Sequence, residues 1–297
     1  MDPSLSYEMH SRSYEESSVN PENINYYRDF FNSKSIDVWR HRRMLSCIDP
    51  LLDFHPKKEW LAIGDGCYGT TSKYIEHKGS HALATDIDIS ALQVANLNGF
   101  LERYQYANAE RLPFDDNSFD YAICKEAYHH FPRPHIAFYE MCRVSRDGLV
   151  LIEPSDWIPA PHLRSILASI KRGVAKLIGM NLPHTDHGCY EPIGNYVYTV
   201  SIREITKMSI ALNYPVIAYK RFHDLWKPKY NLTKVYSLTF YCLKIKLLFR
   251  SFLKLLTLSS YNRLQVIVFK KIPDQELLKL LKDQSFNVEF LPRNPYI

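Results

Sequence analysis

Apolar and polar positions along the chain change their period several times. Over residues 24–54, apolar side chains recur at the three- and four-residue spacing of helices, which predicts a helical lead-in of one or two helices. The residues before 24 are polar and predict little apolar burial. From residue 58 onward, short apolar runs that end at a glycine or an aspartate alternate with helical periods. This alternation predicts an α/β fold.

The same alternation places the individual elements. Helices are predicted after each of the first two strands and around 136–144, 163–178 and 202–212, and a polar loop is predicted at 181–194. Because right-handed crossovers join parallel strands, we expect a doubly wound, seven-stranded, mostly parallel sheet with helices on both faces. The predicted strands are 60–63, 81–85, 104–107, 119–124, 148–152, 215–222 and 263–270.

These elements predict one domain with four regions along the chain. Residues 1–57 form the polar N-terminus and lead-in, and 58–156 form the core of the sheet. Residues 157–214 form a helical cap, and 215–297 hold the final strands with a helical insertion at about 223–262.

Composition excludes several classes of protein. The chain has 297 residues, 46% hydrophobic and 23% charged, which is typical of a soluble globular protein with a sizeable core. Its formal charge of +5 is spread over many residues and not gathered in the stripe that nucleic-acid binders carry, so no nucleic-acid partner is expected. The six cysteines form no C-x-x-C pair and no signal-peptide pattern opens the chain, which favours a cytoplasmic protein with free thiols.

The most apolar segment, 235–258, carries four basic residues, each of which would cost about 2.5–3.5 kcal/mol at bilayer depth. We therefore do not expect it to span a membrane. Lys246, Arg250 and Lys254 follow at four-residue intervals and form a basic stripe on an otherwise apolar helix. An edge helix packed by its apolar face is the favoured interpretation, and peripheral contact with a membrane surface or a lipid-like substrate is the alternative.

The ends of the first two predicted strands carry candidate ligand-binding residues. The first strand runs into residues 64–69, GDGCYG, which fit the spacing G-x-G-x-x-G of a dinucleotide-binding turn and also that of a tight turn without a ligand. Asp86 ends the second strand about twenty residues later, where a carboxylate can accept hydrogen bonds from two ribose hydroxyls. Both NAD and S-adenosylmethionine (SAM) present such a ribose, so these two signals leave the cofactor open.

A longer motif separates the two cofactors. Residues 106–124, YANAERLPFDDNSFDYAIC, followed by YHHF at 128–131, resemble the third and fourth strands of class I SAM-dependent methyltransferases. The similarity is to the small-molecule group that includes ubiquinone and sterol methyltransferases, the methyltransferase type 11 family. It covers about residues 58–156 and implies SAM as the cofactor. NAD-dependent oxidoreductases of the Rossmann type lack this motif.

The resemblance also implies roles for single residues. Gly64 and Gly66 would line the methionine moiety of SAM, Asp86 would hold the ribose, and Asn108 with the Ala109 backbone would border the adenine. Lys125 and Glu126 would lie beside the methyl sulfonium. The full set of expected cofactor-binding residues is Gly64, Asp65, Gly66, Gly69, Asp86, Ile87, Asn108, Ala109, Glu110 and Lys125.

Two positions depart from the family pattern. The family usually carries an acidic residue two positions before the first glycine, directed at the methionine amine, where this chain has Ala62. Asp65 is the candidate substitute for it. The family also commonly has aspartate at the position of Asn108, although an amide oxygen can still accept a hydrogen bond from the adenine amino group. These departures leave open a methyltransferase-fold binding module without catalysis.

Candidate bases follow the fourth and fifth predicted strands. Methyl transfer from a sulfonium mainly requires alignment and, for a hydroxyl acceptor, a base. His129 and His130 are the expected catalytic residues, with Glu126 and Glu153 as further candidates; Glu153 also fits a role in orienting the loop. We expect transfer to oxygen of a small or carrier-linked acceptor. The tetrapeptide of amino-methylating nucleic-acid enzymes, (D/N/S)-P-P-(Y/F), is absent at 125–128, which argues against DNA methylation.

One cluster offers metal-ligand side chains within a short segment. It consists of His184, Asp186, His187 and Cys189, but no second cluster completes a tetrahedral zinc site. No metal is expected, and the segment is interpreted as a loop that faces the substrate.

Overall fold

The computed structural model describes residues 7–9, 33–156, 174, 188–190, 196–255 and 259–296. Strands and helices alternate along the central part of the chain, as the periodicity predicts. The strands are β1 (Glu59–Ile63), β2 (His81–Asp86), β3 (Tyr104–Tyr106), β4 (Phe119–Lys125), β5 (Ser145–Pro154), β6 (Gly188–Tyr190), β7 (Tyr196–Tyr198), β8 (Val216–Phe222), β9 (Arg263–Phe269) and β10 (Asn287–Phe290). The α-helices are α1 (Ile36–Leu45), α2 (Asp49–Phe54), α3 (Thr70–His77), α4 (Ser90–Leu97), α5 (Pro134–Val144), α6 (Ile202–Ala211), α7 (Leu238–Leu255) and α8 (Gln275–Asp283).

Eight of these strands form one sheet in the order β10-β8-β9-β5-β4-β1-β2-β3. Strands β1 to β5 pair in parallel with one another, and β9 runs antiparallel to both β5 and β8. The strand order reverses between β1 and β4, and ligands bind at such a point, outside the carboxyl ends of the strands. The doubly wound, mostly parallel α/β fold predicted from the sequence is therefore confirmed.

The core lies on both faces of the sheet because successive strand side chains point in opposite directions. In β1, Trp60 and Ala62 pack in the layer that contains α2, α3 and α8, while Leu61 and Ile63 pack in the layer that contains α5 and α6. Trp60 is fully buried and stacks on Tyr121 of β4, with ring centroids 4.7 Å apart. Burial on both faces explains why the sequences of the central strands are continuous apolar runs.

Buried ion pairs fix the lead-in helix α1 beside the carboxyl edge of the sheet. Arg40 donates from Nε to Asp224 Oδ1, at 2.9 Å, and from Nη1 to Asp37 Oδ1, at 2.6 Å. All three side chains are buried, and Asp224 lies two residues after the end of β8. Moving α1 away would separate these charges and leave them buried without a partner, which costs free energy. The ion pairs therefore hold α1 in this position.

Two predictions about the later part of the chain were wrong. The sheet has eight strands where seven were predicted, because β10 pairs antiparallel with β8 although its residues are mostly exposed and form no apolar run. The polar loop predicted at 181–194 contains β6, which pairs with β7; Tyr190 lies opposite Tyr196, and their ring centroids are 5.1 Å apart. Such cross-strand aromatic pairs stabilise short hairpins.

Other predictions for this part of the chain stay untested. The helix predicted around 163–178 lies outside the described residues except for residue 174, as do His184, Asp186 and His187 of the candidate metal cluster. Among the helices that the structure describes, none combines the length and the apolarity needed to cross a bilayer.

Candidate active site

A cavity of about 240 Å³ opens at the carboxyl ends of β1, β2 and β4, next to the reversal of strand order. It gathers residues from the loops after β1, β2, β3 and β4 and from α1. The described residues that line it are Tyr7, His41, Ile63, Gly64, Gly66, Cys67, Asp86, Ile87, Ala107, Asn108, Ala109, Glu110, Lys125, Glu126, Ala127, His130, Phe131 and Pro132.

The glycine loop after β1 depends on two glycines for close backbone approach. Gly64 has φ of +69°, and a Cβ on it would lie 2.3 Å from the Cβ of Ala127. A Cβ on Gly66 would lie 2.6 Å from Asp86 Oδ2. Larger residues would displace either the β4 loop or the Asp86 carboxylate, so both glycines keep the cavity open at this end.

Asp65 and Gly69 belong to the same loop but do not line the cavity. The Asp65 carboxylate turns toward the start of α3, where it accepts hydrogen bonds from the backbone N–H groups of Thr71, at 3.0 Å, and Ser72, at 2.9 Å. A Cβ on Gly69 would meet the side chain of Leu101. Asp65 therefore accepts hydrogen bonds from N–H groups that would otherwise be unpaired at the start of a helix. That Asp65 also takes the role of the acidic residue missing at position 62 stays a prediction.

Asp86 lies at the centre of the candidate cofactor side. Its Oδ2 accepts from the Gly66 backbone N–H at 2.8 Å, and its Oδ1 accepts from the Asp88 N–H at 3.0 Å. Burial raises the pKa of this carboxyl from its ordinary value to about 6, against the lowering effect of these hydrogen bonds. Each oxygen keeps a further lone pair for a ligand hydroxyl, which suits the ribose-binding role expected for it.

The loop after β3 forms another wall of the cavity. Asn108 Oδ1 accepts from the Glu110 backbone N–H at 2.9 Å, which fixes the turn that presents Ala109. The Glu110 carboxylate accepts from the backbone N–H of Arg133 at 2.7 Å and from its Nε at 2.6 Å. Tyr7 also lines the cavity here, and burial and the nearby Glu110 carboxylate raise its pKa. Its place on this wall could not be predicted, since the polar N-terminus has no apolar period.

Charged side chains meet where β4 ends. Lys125 Nζ lies 3.2 Å from Glu126 Oε2, and Arg263 Nη2 lies 2.8 Å from Glu126 Oε1. Although burial opposes ionisation, the positive charges of Lys125 and Arg263 hold the pKa of Glu126 well below its usual range. Glu126 is therefore ionised and paired in the described structure, a state in which it is a poor proton acceptor.

The two adjacent histidines after β4 have different surroundings. His130 lines the cavity, whereas His129 does not. His129 Nδ1 lies 2.5 Å from Oε2 of Glu153, whose side chain is fully buried. The other oxygen of Glu153 accepts from the backbone N–H groups of Ala127, at 3.2 Å, and Tyr128, at 3.1 Å. His129 and Glu153 thus hold the loop that carries His130.

Replacing Glu153 by glutamine tests this positioning role. Glu153→Gln keeps one oxygen for the two backbone N–H groups but removes the charge beside His129. We expect the free energy of unfolding to fall by about 1–3 kcal/mol in a urea titration. The matched change Glu289→Gln, on the exposed strand β10, should stay within about 0.5 kcal/mol of the parent protein. Equal changes in both variants would contradict a special role for Glu153.

His41 of α1 is a cavity residue that the sequence did not single out. Burial, together with the positive charge of Lys125, lowers the pKa of His41 well below its ordinary value. The imidazole is therefore neutral at physiological pH. Its only sequence signal was its place in the lead-in helix, because its contact with the cavity depends on how α1 packs against the sheet.

The chain is similar to one family of known proteins and to several solved structures. Residues 61–152 match the methyltransferase domain family. Among solved structures, the YcgJ protein from Bacillus subtilis is 18% identical with a TM-score of 0.50, and the alignment covers 78% of this chain and 100% of that one. Magnesium protoporphyrin IX methyltransferase from Synechocystis PCC 6803, solved with bound SAH, is 13% identical with a TM-score of 0.48, covering 86% and 99% of the two chains.

A comparison with curated protein sequences finds no match. The resemblance seen in the sequence is nonetheless confirmed by the family match, which spans the glycine loop, Asp86 and the end of β4. Residues 61–152 of this chain are a class I SAM-dependent methyltransferase domain.

Proposed function

We propose that this protein transfers a methyl group from SAM to an oxygen atom of a small or carrier-linked acceptor, in the cytoplasm. The observation that carries the proposal is a single cavity in which Asp86 and the glycine loop lie together with His41, Lys125 and His130. The first group suits the cofactor, and the second offers polar side chains to an acceptor. The cytoplasmic location is supported by the five cysteines whose side chains the structure describes, all of which are free thiols.

The residues on the cofactor side fit SAM. A Cβ at position 66 would collide with Asp86. Because Gly66 lacks one, its backbone and the Asp86 carboxylate can lie close together beside the ligand. The Asp86 oxygens can each accept from a ribose hydroxyl while keeping their backbone partners. The turn fixed by Asn108 presents the Ala109 backbone to the adenine. Ile63 and Ile87 add apolar surface to the cavity.

The acceptor side supports alignment and proton removal. SAM supplies an already activated methyl group on its sulfonium sulfur when bound. A hydroxyl acceptor is a poor nucleophile until its proton is being removed, so this chain must place a base near the acceptor oxygen. His130 lies in the cavity on a loop held by His129 and Glu153, and we assign it this role. His41 can accept a hydrogen bond from the acceptor because its imidazole stays neutral.

Calorimetry with three ligands tests the proposal. SAM and S-adenosylhomocysteine should each bind at one site, whereas NAD should not bind measurably. Methyl-labelled SAM, incubated with the protein and a fractionated extract of small molecules, should then label an organic acceptor through an ether or ester oxygen. Binding of NAD instead of SAM would favour an oxidoreductase. Binding of SAM without any transfer would favour the binding module that Ala62 and Asn108 leave open.

A further inference from the structure

Helix α7 packs on the rest of the protein through one narrow face. Phe240 and Leu243 are buried, and they join a cluster with Ile36 and Tyr230. Trp39 of α1 meets Phe240 edge to face, with ring centroids 5.2 Å apart. Helix α7 therefore packs against α1, the helix that carries the cavity residue His41.

The opposite face of α7 is apolar and exposed. Six large apolar side chains of this face are between 50% and 81% exposed. They are Leu238, Tyr241, Ile245, Leu248, Phe249 and Phe252. At 3.6 residues per turn they fall within an arc of about 100°, roughly opposite Phe240 and Leu243. The edge helix predicted from the sequence thus packs by only part of its apolar surface. Contiguous exposed apolar patches of this kind mark interaction sites.

Positive charge surrounds this exposed face. Lys244 flanks one edge of the arc, and Lys246 and Arg250 flank the other; all three are exposed. The sequence between Asp224 and Asp274 contains ten lysines and arginines and no aspartate or glutamate. An apolar face bordered by flexible basic side chains suits a partner whose interior is apolar and whose surface is negatively charged.

We propose that α7 is an interfacial helix that docks the protein on the surface of an anionic lipid bilayer. The apolar arc enters the boundary between headgroups and acyl chains, and Lys244, Lys246 and Arg250 contact the anionic headgroups. A second copy of this chain is a poorer occupant of the face. A two-fold contact through α7 would bring the same basic edges together, and residues 225–273 contain no acidic residue to neutralise them.

Vesicle sedimentation of the full chain tests the proposal. The parent protein should sediment with vesicles of phosphatidylcholine containing one-third phosphatidylglycerol, much less with phosphatidylcholine alone, and progressively less as salt rises. The variant Lys246→Gln/Arg250→Gln should bind the anionic vesicles about 25-fold more weakly, at about fivefold per basic residue. Leu248→Gln/Phe249→Gln should lose at least tenfold in affinity, since two large apolar side chains no longer enter the bilayer.

A matched control separates the apolar arc from exposed apolar residues in general. The variant Leu97→Gln/Ile272→Gln changes two exposed side chains away from α7 and should bind the vesicles like the parent. Equal binding by both apolar variants, or no sedimentation of the parent, would overturn the proposal. Size-exclusion chromatography would also overturn it if the parent were a dimer that the α7 changes dissociate. None of these substitutions touches the cavity, so SAM binding should persist in all of them.

Discussion

Replacing Asp86 by alanine is expected to weaken SAM binding by several orders of magnitude. The carboxylate is held in place by the N–H groups of Gly66 and Asp88 and offers both oxygens to the cavity. Two charge-assisted hydrogen bonds to ribose hydroxyls, each worth about 1.5–3 kcal/mol, would be lost before any compensation by water. Isothermal titration calorimetry measures the change, and a thermal unfolding curve establishes that the variant is folded.

Two further variants sharpen this result. Asp115→Ala removes an exposed carboxylate outside the cavity and should leave SAM affinity unchanged. Asp86→Asn keeps the size of the side chain and one acceptor oxygen, so it should lose less affinity than alanine. If Asp86→Ala bound SAM as tightly as the parent, the ribose would not lie at Asp86 and the assignment of the cofactor side would fail.

The titration of Asp86 adds a pH signature to the same site. Because the carboxyl has a pKa of about 6 without ligand, it is mostly ionised at pH 7 and mostly protonated at pH 5. Hydroxyl donors favour the ionised form, so SAM affinity should be lost as pH falls through 6, by about tenfold at pH 5. Asp86→Asn should remove this dependence between pH 5 and 7.

The fold was largely predictable because the central strands are buried on both faces. Continuous apolar runs such as 60–63 and 119–124 can fold in few other ways when helical periods separate them, and their predicted bounds fall within two residues of β1 and β4. Strand β10 was missed because an exposed edge strand needs no apolar run. The pairing of β6 with β7 depends on contacts between tyrosines on separate strands, which a local pattern does not record.

The candidate site was predictable where adjacent strands end. The carboxyl ends of β1, β2 and β4 meet by topology, so Gly66, Asp86 and Lys125 line one cavity although they are distant in sequence. The direction of a side chain within a loop was not predictable. His129 and His130 are neighbours, yet only His130 reaches the cavity. His41 could not be found either, because the packing of α1 brings it there.

Removal of His130 is expected to slow methyl transfer while leaving SAM binding intact. Loss of a general base typically costs about 10²–10⁴ in rate. His41→Ala should cost less, because a pKa well below the ordinary value makes that imidazole a weak proton acceptor, although it can orient the acceptor by a hydrogen bond. Single-turnover rates with labelled SAM and the identified acceptor measure both effects. His81→Ala, an exposed residue at the amino end of β2, is the matched control and should transfer at the parent rate.

Chemical rescue separates a base from a residue that only positions the acceptor. Added imidazole should restore part of the rate to His130→Ala, whose missing group takes a proton, and little to His41→Ala, whose missing group holds the acceptor in place. If His41→Ala lost more of the transfer rate than His130→Ala, and if imidazole restored that rate, His41 would be the base and His130 the positioning residue. Full turnover in both variants would show that neither imidazole serves as the base and that the acceptor is a nucleophile that needs none.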